Sequence, residues 1–312
     1  MNTAQMAVGR WPSILGRFGV NAEFLQGKHT SCPHCGGKDR FRFANTQGRG
    51  EFFCNQCAPS GGDGFDLVQK VMGWDFKQAS KEIEKLIPNV KPMPVPPKQS
   101  IEDKRKKLNN MRKRVRSITE SPDVVSYLNN RGISNETIDA IMPTLGCIRG
   151  FEYWSNGKAK RFDSMIGKVQ KCGKPITYHV TYCHEGSKAP VSVARKIMPT
   201  IDKFSHGVVQ IFDHSHELGV AEGIETAISC YEVFGIPTWA ALTAKSLENF
   251  VIPAGVTKLY VFGDNDAGQM TGQRSARKLV ERAKFQGLEV VECIPTVSGF
   301  DWNDVLLSEK GK

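Results

Sequence analysis

Residues 258–266 read Lys-Leu-Tyr-Val-Phe-Gly-Asp-Asn-Asp. An apolar run of this length and composition predicts a buried strand, and it ends on a glycine and two carboxylates one residue apart. Similar units flank it. Leu218–Ala221 is a short apolar run followed by Glu222-Gly223-Ile224-Glu225-Thr226. Thr238–Leu242 and Leu288–Cys293 are two more strand-like runs. Between them, 225–234, 245–250 and 272–285 are helical in character, the last with Ala276, Leu279, Val280 and Ala283 at helical spacing. Strands alternating with helices predict a mostly parallel sheet with helices on both faces. In such sheets functional residues gather at the carboxyl ends of the strands. A third acidic stretch, Gly299-Phe300-Asp301-Trp302-Asn303-Asp304, follows the last strand. Carboxylates gathered at one sheet edge repel one another unless cations join them. Hard oxygen ligands select Mg2+ or Mn2+.

The N-terminal third carries a different metal pattern. Cys32-x2-Cys35 and Cys54-x2-Cys57 are two knuckles that each aim two thiolates at one ion. Together they predict one structural Zn2+ per chain in a closed tetrahedral shell. Gly36 and Gly37 let the backbone turn after the first knuckle. Phe41-Arg42-Phe43 and Glu51-Phe52-Phe53 read as ribbon strands. Lys28, Lys38, Arg40, Arg42 and Arg49 are interleaved with Phe41, Phe43, Phe52 and Phe53. Such interleaving suits single-stranded nucleic acid, so Lys38, Arg40 and Arg42 are candidate contacts. Most of the phenylalanines are expected to form the ribbon's own core.

A chain of 312 residues is long enough for several cores. Its formal net charge of +10 points either to a polyanionic partner or to solubility alone. No apolar run is long enough for a membrane span, and no signal peptide is expected. Nine cysteines, an odd number, argue against a disulfide framework, so a cytoplasmic setting is expected, in a bacterial cell or phage-infected host. The composition divides the chain into residues 1–87 with the ribbon, a proline-rich linker over 88–100, a mixed region over 101–215 that opens with a basic helix, and the regular α/β region over 216–312. Within the mixed region, 168–170, Gly173 and 176–182 read as a hairpin. Charge runs such as 104–116 are either phosphate-tracking surfaces or solvated helix faces.

Several stretches resemble a known family. CPHCGGKDRFRF, FFCNQC and GDGFDLVQKVMGWDFKQASKEI, over about 28–87, resemble the zinc-binding domain of phage and plasmid primases. Tyr127-Leu128, Arg131-Gly132 and 134–138 resemble the segment that opens the polymerase core of bacterial replicative primases. SVARKIMP (192–199) resembles the basic strand preceding their Toprim domain. By that likeness Arg195 and Lys196 hold nucleotide phosphates or template. Ordinary surface charge is the other reading. The three acidic motifs, over about 216–307, resemble the Toprim domain of bacterial-type primases, type IA topoisomerases and OLD-family nucleases.

The resemblance implies a multidomain chain. A zinc β-ribbon with helices is followed by a mixed α+β subdomain and an α/β Toprim core with a Rossmann-like parallel sheet. It implies Glu222, Asp264 and Asp266 as catalytic residues, with Asp301 and Asp304 as further Mg2+ or Mn2+ ligands. Two departures stand out. Thr226 occupies a position where replicative primases often carry Asp, with Glu225 beside it as a substitute. Asn303 replaces the second Asp of the third motif. The implied activity is a DNA primase, a nucleotidyltransferase making short RNA primers on single-stranded DNA from ribonucleoside triphosphates, in phage- or plasmid-type replication. No GxxxxGK[ST] loop occurs, so the replicative helicase implied as partner is expected in trans. The alternatives are a Toprim metal-dependent nuclease and a non-catalytic zinc-ribbon protein that binds single-stranded DNA or recruits a helicase.

Overall fold

The structure is a computed structural model that describes residues 2–94, 99–155, 158–265 and 271–311. The chain forms two compact units, Met1–Ser100 and Ile101–Lys312. Among the described residues, no helix is long and apolar enough to cross a membrane.

The first unit opens with helices α1 (Thr3–Ala7) and α2 (Trp11–Arg17). A four-stranded antiparallel sheet follows in sequential order, β1 (His29–Cys32), β2 (Gly36–Phe43), β3 (Phe52–Cys54) and β4 (Gly61–Gly62). Helices α3 (Gly64–Met72) and α4 (Phe76–Leu86) complete it. The period of two in β2 buries Phe41 and Phe43 and exposes Arg42. Phe52 joins them in the core, whereas Phe53 is half exposed. The core also takes Trp11, Ile14 and Leu15 from α2, so residues before the first knuckle belong to this unit. Trp11 meets Phe65 edge-to-face at 5.0 Å. That contact needs the glycine at 64, because a Cβ there would run into the indole ring. Asp63 caps α3 by accepting from the Phe65 and Asp66 amides, and Asp66 reciprocates.

The second unit is built on one mixed sheet with eleven described strands. Its first part comprises helix α5 (Ile101–Arg114), strand β5 (Arg116–Ser117), helices α6 (Pro122–Asn130) and α7 (Asn135–Ile141), and the long antiparallel strands β6 (Leu145–Ser155), β7 (Lys158–Lys171) and β8 (Lys174–His184). Short strands β9 (Ser187–Lys188), β10 (Arg195–Ile197) and β11 (Val208–Val209) follow. The expected hairpin is present and turns at Cys172 and Gly173, both with positive φ. The parallel part consists of β12 (Glu217–Ala221), α8 (Ile224–Phe234), β13 (Thr238–Ala240), α9 (Ala244–Glu248), β14 (Lys258–Phe262), α10 (Thr271–Phe285), β15 (Glu289–Cys293) and α11 (Trp302–Lys310). The spatial order β10-β8-β7-β11-β13-β12-β14-β15 makes β11 the bridge. It pairs antiparallel with β7 on one side and β13 on the other.

Side-chain alternation assigns the two faces. Leu218, Val220, Leu259 and Val261 pack under α9 and α10. Met165, Val169, Ala221 and Phe262 face the other way, toward α6, α7, α8 and α11. On the α9/α10 side, Ile166, Tyr178 and Val180 pack against Leu108 and Met111 of α5. Both faces are thus helix-covered, as the alternation of strands and helices requires.

Candidate active site and zinc centre

In the first unit the four thiols converge. Their sulfurs lie within 4.8 Å of one another. Cys32 and Cys57 are 3.8 Å apart, and Cys35 lies 3.6 Å from both Cys54 and Cys57. Four sulfurs bonded at about 2.3 Å to one tetrahedral zinc stand about 3.8 Å apart, so the spacing fits the ion. The His34 amide donates to Cys32 Sγ at 3.4 Å, which steadies the knuckle. Burial opposes ionisation of Cys54, but the amides of Gln56 and Cys57 outweigh it and bring the thiol down to about 7. A closed shell of four thiolates leaves no open position, so a zinc held there would be structural. On the exposed side of β2 stand Lys38 and Arg42, with Arg40 part-buried. Arg42 lies opposite Phe53 and donates to the Gly27 carbonyl at 3.1 Å.

In the second unit a cavity of about 430 Å³ opens where β12 and β14 end. Glu222, Asp264 and Asp301 line it from the three acidic motifs, and Arg195 and Lys196 line it from β10. Five residues far apart in sequence thus line one cavity, although the Lys196 ammonium lies 3.5 Å from the centroid of the Tyr153 ring, on the α5 side of the sheet. Asp266 lies outside the described residues. Asp304 does not line the cavity. Its Oδ2 accepts from the Asp301 amide, while Asp301 Oδ1 accepts from the amides of Asn303 and Asp304. This reciprocal cap fixes the start of α11 and with it the place of Asp301.

The departures from the family pattern have definite destinations. Asn303 is fully buried and donates through Nδ2 to the Arg131 carbonyl at 2.6 Å and to Ser229 Oγ at 2.8 Å. It ties α11 to α6 and α8. Glu225 is the one buried carboxylate among the described residues. It accepts from the Tyr127 hydroxyl at 2.8 Å. Burial pushes its pKa up, but the charges of Lys188 and Arg195 outweigh that and hold it below the usual carboxylate range. A carboxylate kept charged inside the wall, with its oxygen already bonded, acts as an anchor between α6 and α8.

Sequence reading passed over two other cavity residues, His179 and Leu242, and gave Tyr127, behind the wall, no contact with Glu225. His179 in β8 is 7 % exposed, and burial lowers its pKa to about 4, so it is neutral near pH 7. Tyr127 reaches the wall from α6. Leu242 has φ of 68°, a left-handed backbone that strains a branched side chain, and its amide donates to the Glu222 carbonyl at 2.7 Å. A polar residue at alternating spacing in β8 was the available signal for His179. Nothing local marks Leu242.

The cavity's donors are hard carboxylate oxygens, the chemistry that Mg2+ and Mn2+ take. Among the described residues only the four cysteines form a group of three or more ligand atoms within 4.8 Å. The carboxylates are therefore spaced more widely. Mg2+ tolerates that, since it keeps several waters and uses one or two carboxylates. Helix α8 begins at the cavity on Gly223, which offers no side-chain cap. The Glu225 amide bonds its own carboxylate, and a helix start of this kind is where an anion can be received.

Residues 217–312 match the Toprim domain, and residues 27–65 match the zinc-binding domain of primase-helicase. The chain joins a primase-type zinc ribbon to a Toprim domain. Residues 102–209, which lead into the Toprim domain, match a domain of unknown function. Among solved structures, the Aquifex aeolicus primase (zinc-binding and RNA polymerase domains) is similar over 99% of this chain and 82% of its own, at 15% identity and a TM-score of 0.47. The DnaG primase catalytic domain bound to ssDNA is similar over 67% of this chain and 77% of its own, at 15% identity and a TM-score of 0.44. A DNA primase domain from Pseudomonas aeruginosa covers 59% of this chain and 67% of its own, at 14% identity and a TM-score of 0.40.

Proposed function

We propose that the chain is a DNA primase that makes short RNA primers on single-stranded DNA from ribonucleoside triphosphates. The observation that carries this reading is the cavity itself. Carboxylates from three Toprim motifs share it with Arg195 and Lys196, in a chain that also bears a primase-type zinc ribbon. The reaction joins a 3′ hydroxyl to an α-phosphate and releases pyrophosphate. Glu222, Asp264 and Asp266 are the proposed catalytic set, with Asp301 as a further metal ligand. Bound Mg2+ or Mn2+ would orient the triphosphate, ease loss of the hydroxyl proton and offset developing charge. Arg195 holds the triphosphate by paired charge, and Lys196 joins it on leaving the Tyr153 ring. The start of α8 adds donors to a phosphate oxygen. Asp304 serves by positioning Asp301.

Lys38, Arg40 and Arg42 are proposed template contacts on the ribbon. The replicative helicase is supplied by a separate protein, and the setting is phage- or plasmid-type replication. The test is incorporation of labelled ribonucleotides on unprimed single-stranded DNA with Mg2+ or Mn2+. Wild type should give short products, and Asp264→Ala/Asp266→Ala none. Normal synthesis by the double variant would sink the assignment. Degradation of the DNA in place of synthesis would mark a nuclease. No activity of either kind, with a helicase supplied, would leave a binding protein.

A further inference from the structure

His179 lines the acidic cavity from β8, and it is 7 % exposed. Its Nδ1 is buried with no partner, and the ring makes no hydrogen bond among the described residues. Glu225, the carboxylate whose charge reaches it, already accepts from the Tyr127 hydroxyl. A buried polar group without a partner is costly, and folded proteins seldom keep one unless a ligand or a water completes it. Thr181, the next residue on this face of β8, also carries an unpartnered oxygen, but it is wholly buried and lines no part of the cavity. Of the two, only His179 can be completed from the cavity.

We infer that His179 receives a ribose hydroxyl of the bound nucleotide, a role that rests on the polymerase reading above. The register of β10 on β8 places the two ends of the ligand. Arg195 pairs with Thr181 and Ile197 with His179, so Arg195 and His179 share one face of the sheet as diagonal neighbours. Such neighbours stand about 7–8 Å apart. A nucleotide whose phosphates lie on Arg195 reaches across that gap with its sugar, while its base extends farther. The chemistry agrees. Burial keeps the ring neutral near pH 7. A neutral imidazole has one donor and one acceptor nitrogen, and a hydroxyl can answer either. It brings no charge to a phosphate, which Arg195 already meets. A metal would need more ligands at hand, and no described group of three or more includes His179. Contact with a base edge would favour one base, whereas a templated polymerase has to admit four. The ribose hydroxyls are common to all four nucleotides.

The experiment measures binding of ATP, 2′-dATP and 3′-dATP to the full zinc-loaded chain with Mg2+ and no template. Each displaces an ATP labelled on its γ-phosphate, so the readout does not depend on synthesis. Wild type should bind one of the two deoxy analogues about tenfold or more weakly than ATP, because that analogue leaves the ring unpaired. His179→Phe should bind ATP as weakly as that analogue, with the analogue's own affinity unchanged. His179→Gln, which returns a donor and an acceptor, should recover part of the preference. An equal loss for all three nucleotides in both variants would mark His179 as a packing residue and overturn the inference, as would a preference that survives in His179→Phe. Wild-type indifference to both hydroxyls would do the same, leaving water as the ring's partner. Failure of wild type to bind any of the three would overturn the polymerase reading itself, and the role of His179 with it.

Discussion

Tyr127 and Glu225 stand 98 residues apart and share one hydrogen bond inside the wall of the acidic cavity. Tyr127→Phe removes the donor and leaves a buried carboxylate oxygen without it. The expected loss is about 1–3 kcal/mol, read as a lower denaturant midpoint. An unchanged midpoint would show that the bond contributes nothing. His179 gives a pH signature. Burial lowers its pKa to about 4 from an ordinary 6.5. Between those values the unfolded chain binds a proton that the folded chain does not, so stability present above pH 6.5 is lost as pH falls toward 4. The contribution is up to about 3 kcal/mol. His179→Gln should flatten the pH dependence of unfolding in that window, and an identical slope would refute the assignment. Neither role was legible in the sequence. Glu225 lies three residues after Glu222 in a motif that reads as metal-binding, with Glu225 as a substitute ligand and not as a buried anchor. Its burial depends on α6, which the sequence gives no means of placing.

At the level of elements, short-range patterns were readable and long-range pairing was not. The strand at 258–262 and the helix at 271–285 follow from periodicity within one or two residues. The two knuckles follow from the spacing of cysteines. By contrast, β7 runs for 14 residues where only 168–170 stood out, because its outer half mixes charged and apolar side chains and the Asn156-Gly157 hairpin signal just before it went unused. The bridge β11 has two residues, too few to show any period. The contribution of α2 to the ribbon's core was also hidden, since its partner Gly64 lies more than forty positions away. Gly64→Ala should therefore displace Trp11 and destabilise the unit by about 1–3 kcal/mol, the usual range for an overpacked core. A thermal melt of the first unit unchanged from wild type would contradict the contact.

For the whole molecule, two compact units with no shared core imply two separable responses. Zinc binding is part of the folding free energy of the first unit, since its sheet closes on the four thiolates. Chelation should therefore red-shift emission from Trp11 and Trp74, while Trp239 and Trp302, set in the cores of the second unit, keep theirs. Substituting Trp11 and Trp74 by Phe lets the second signal be read alone. Its loss on chelation would refute the separation. The second unit is one continuous sheet, although its sequence matches two separate families, over 102–209 and 217–312. Strand β11 belongs to the first stretch and bonds to β13 in the second. The seam between the families is therefore a line in the alignment and not a line of cleavage. Exchanging either half with a distant relative would leave raw strand edges facing solvent, open to pairing with other chains. Gene shuffling can move the ribbon freely, whereas the rest has to be inherited as one piece.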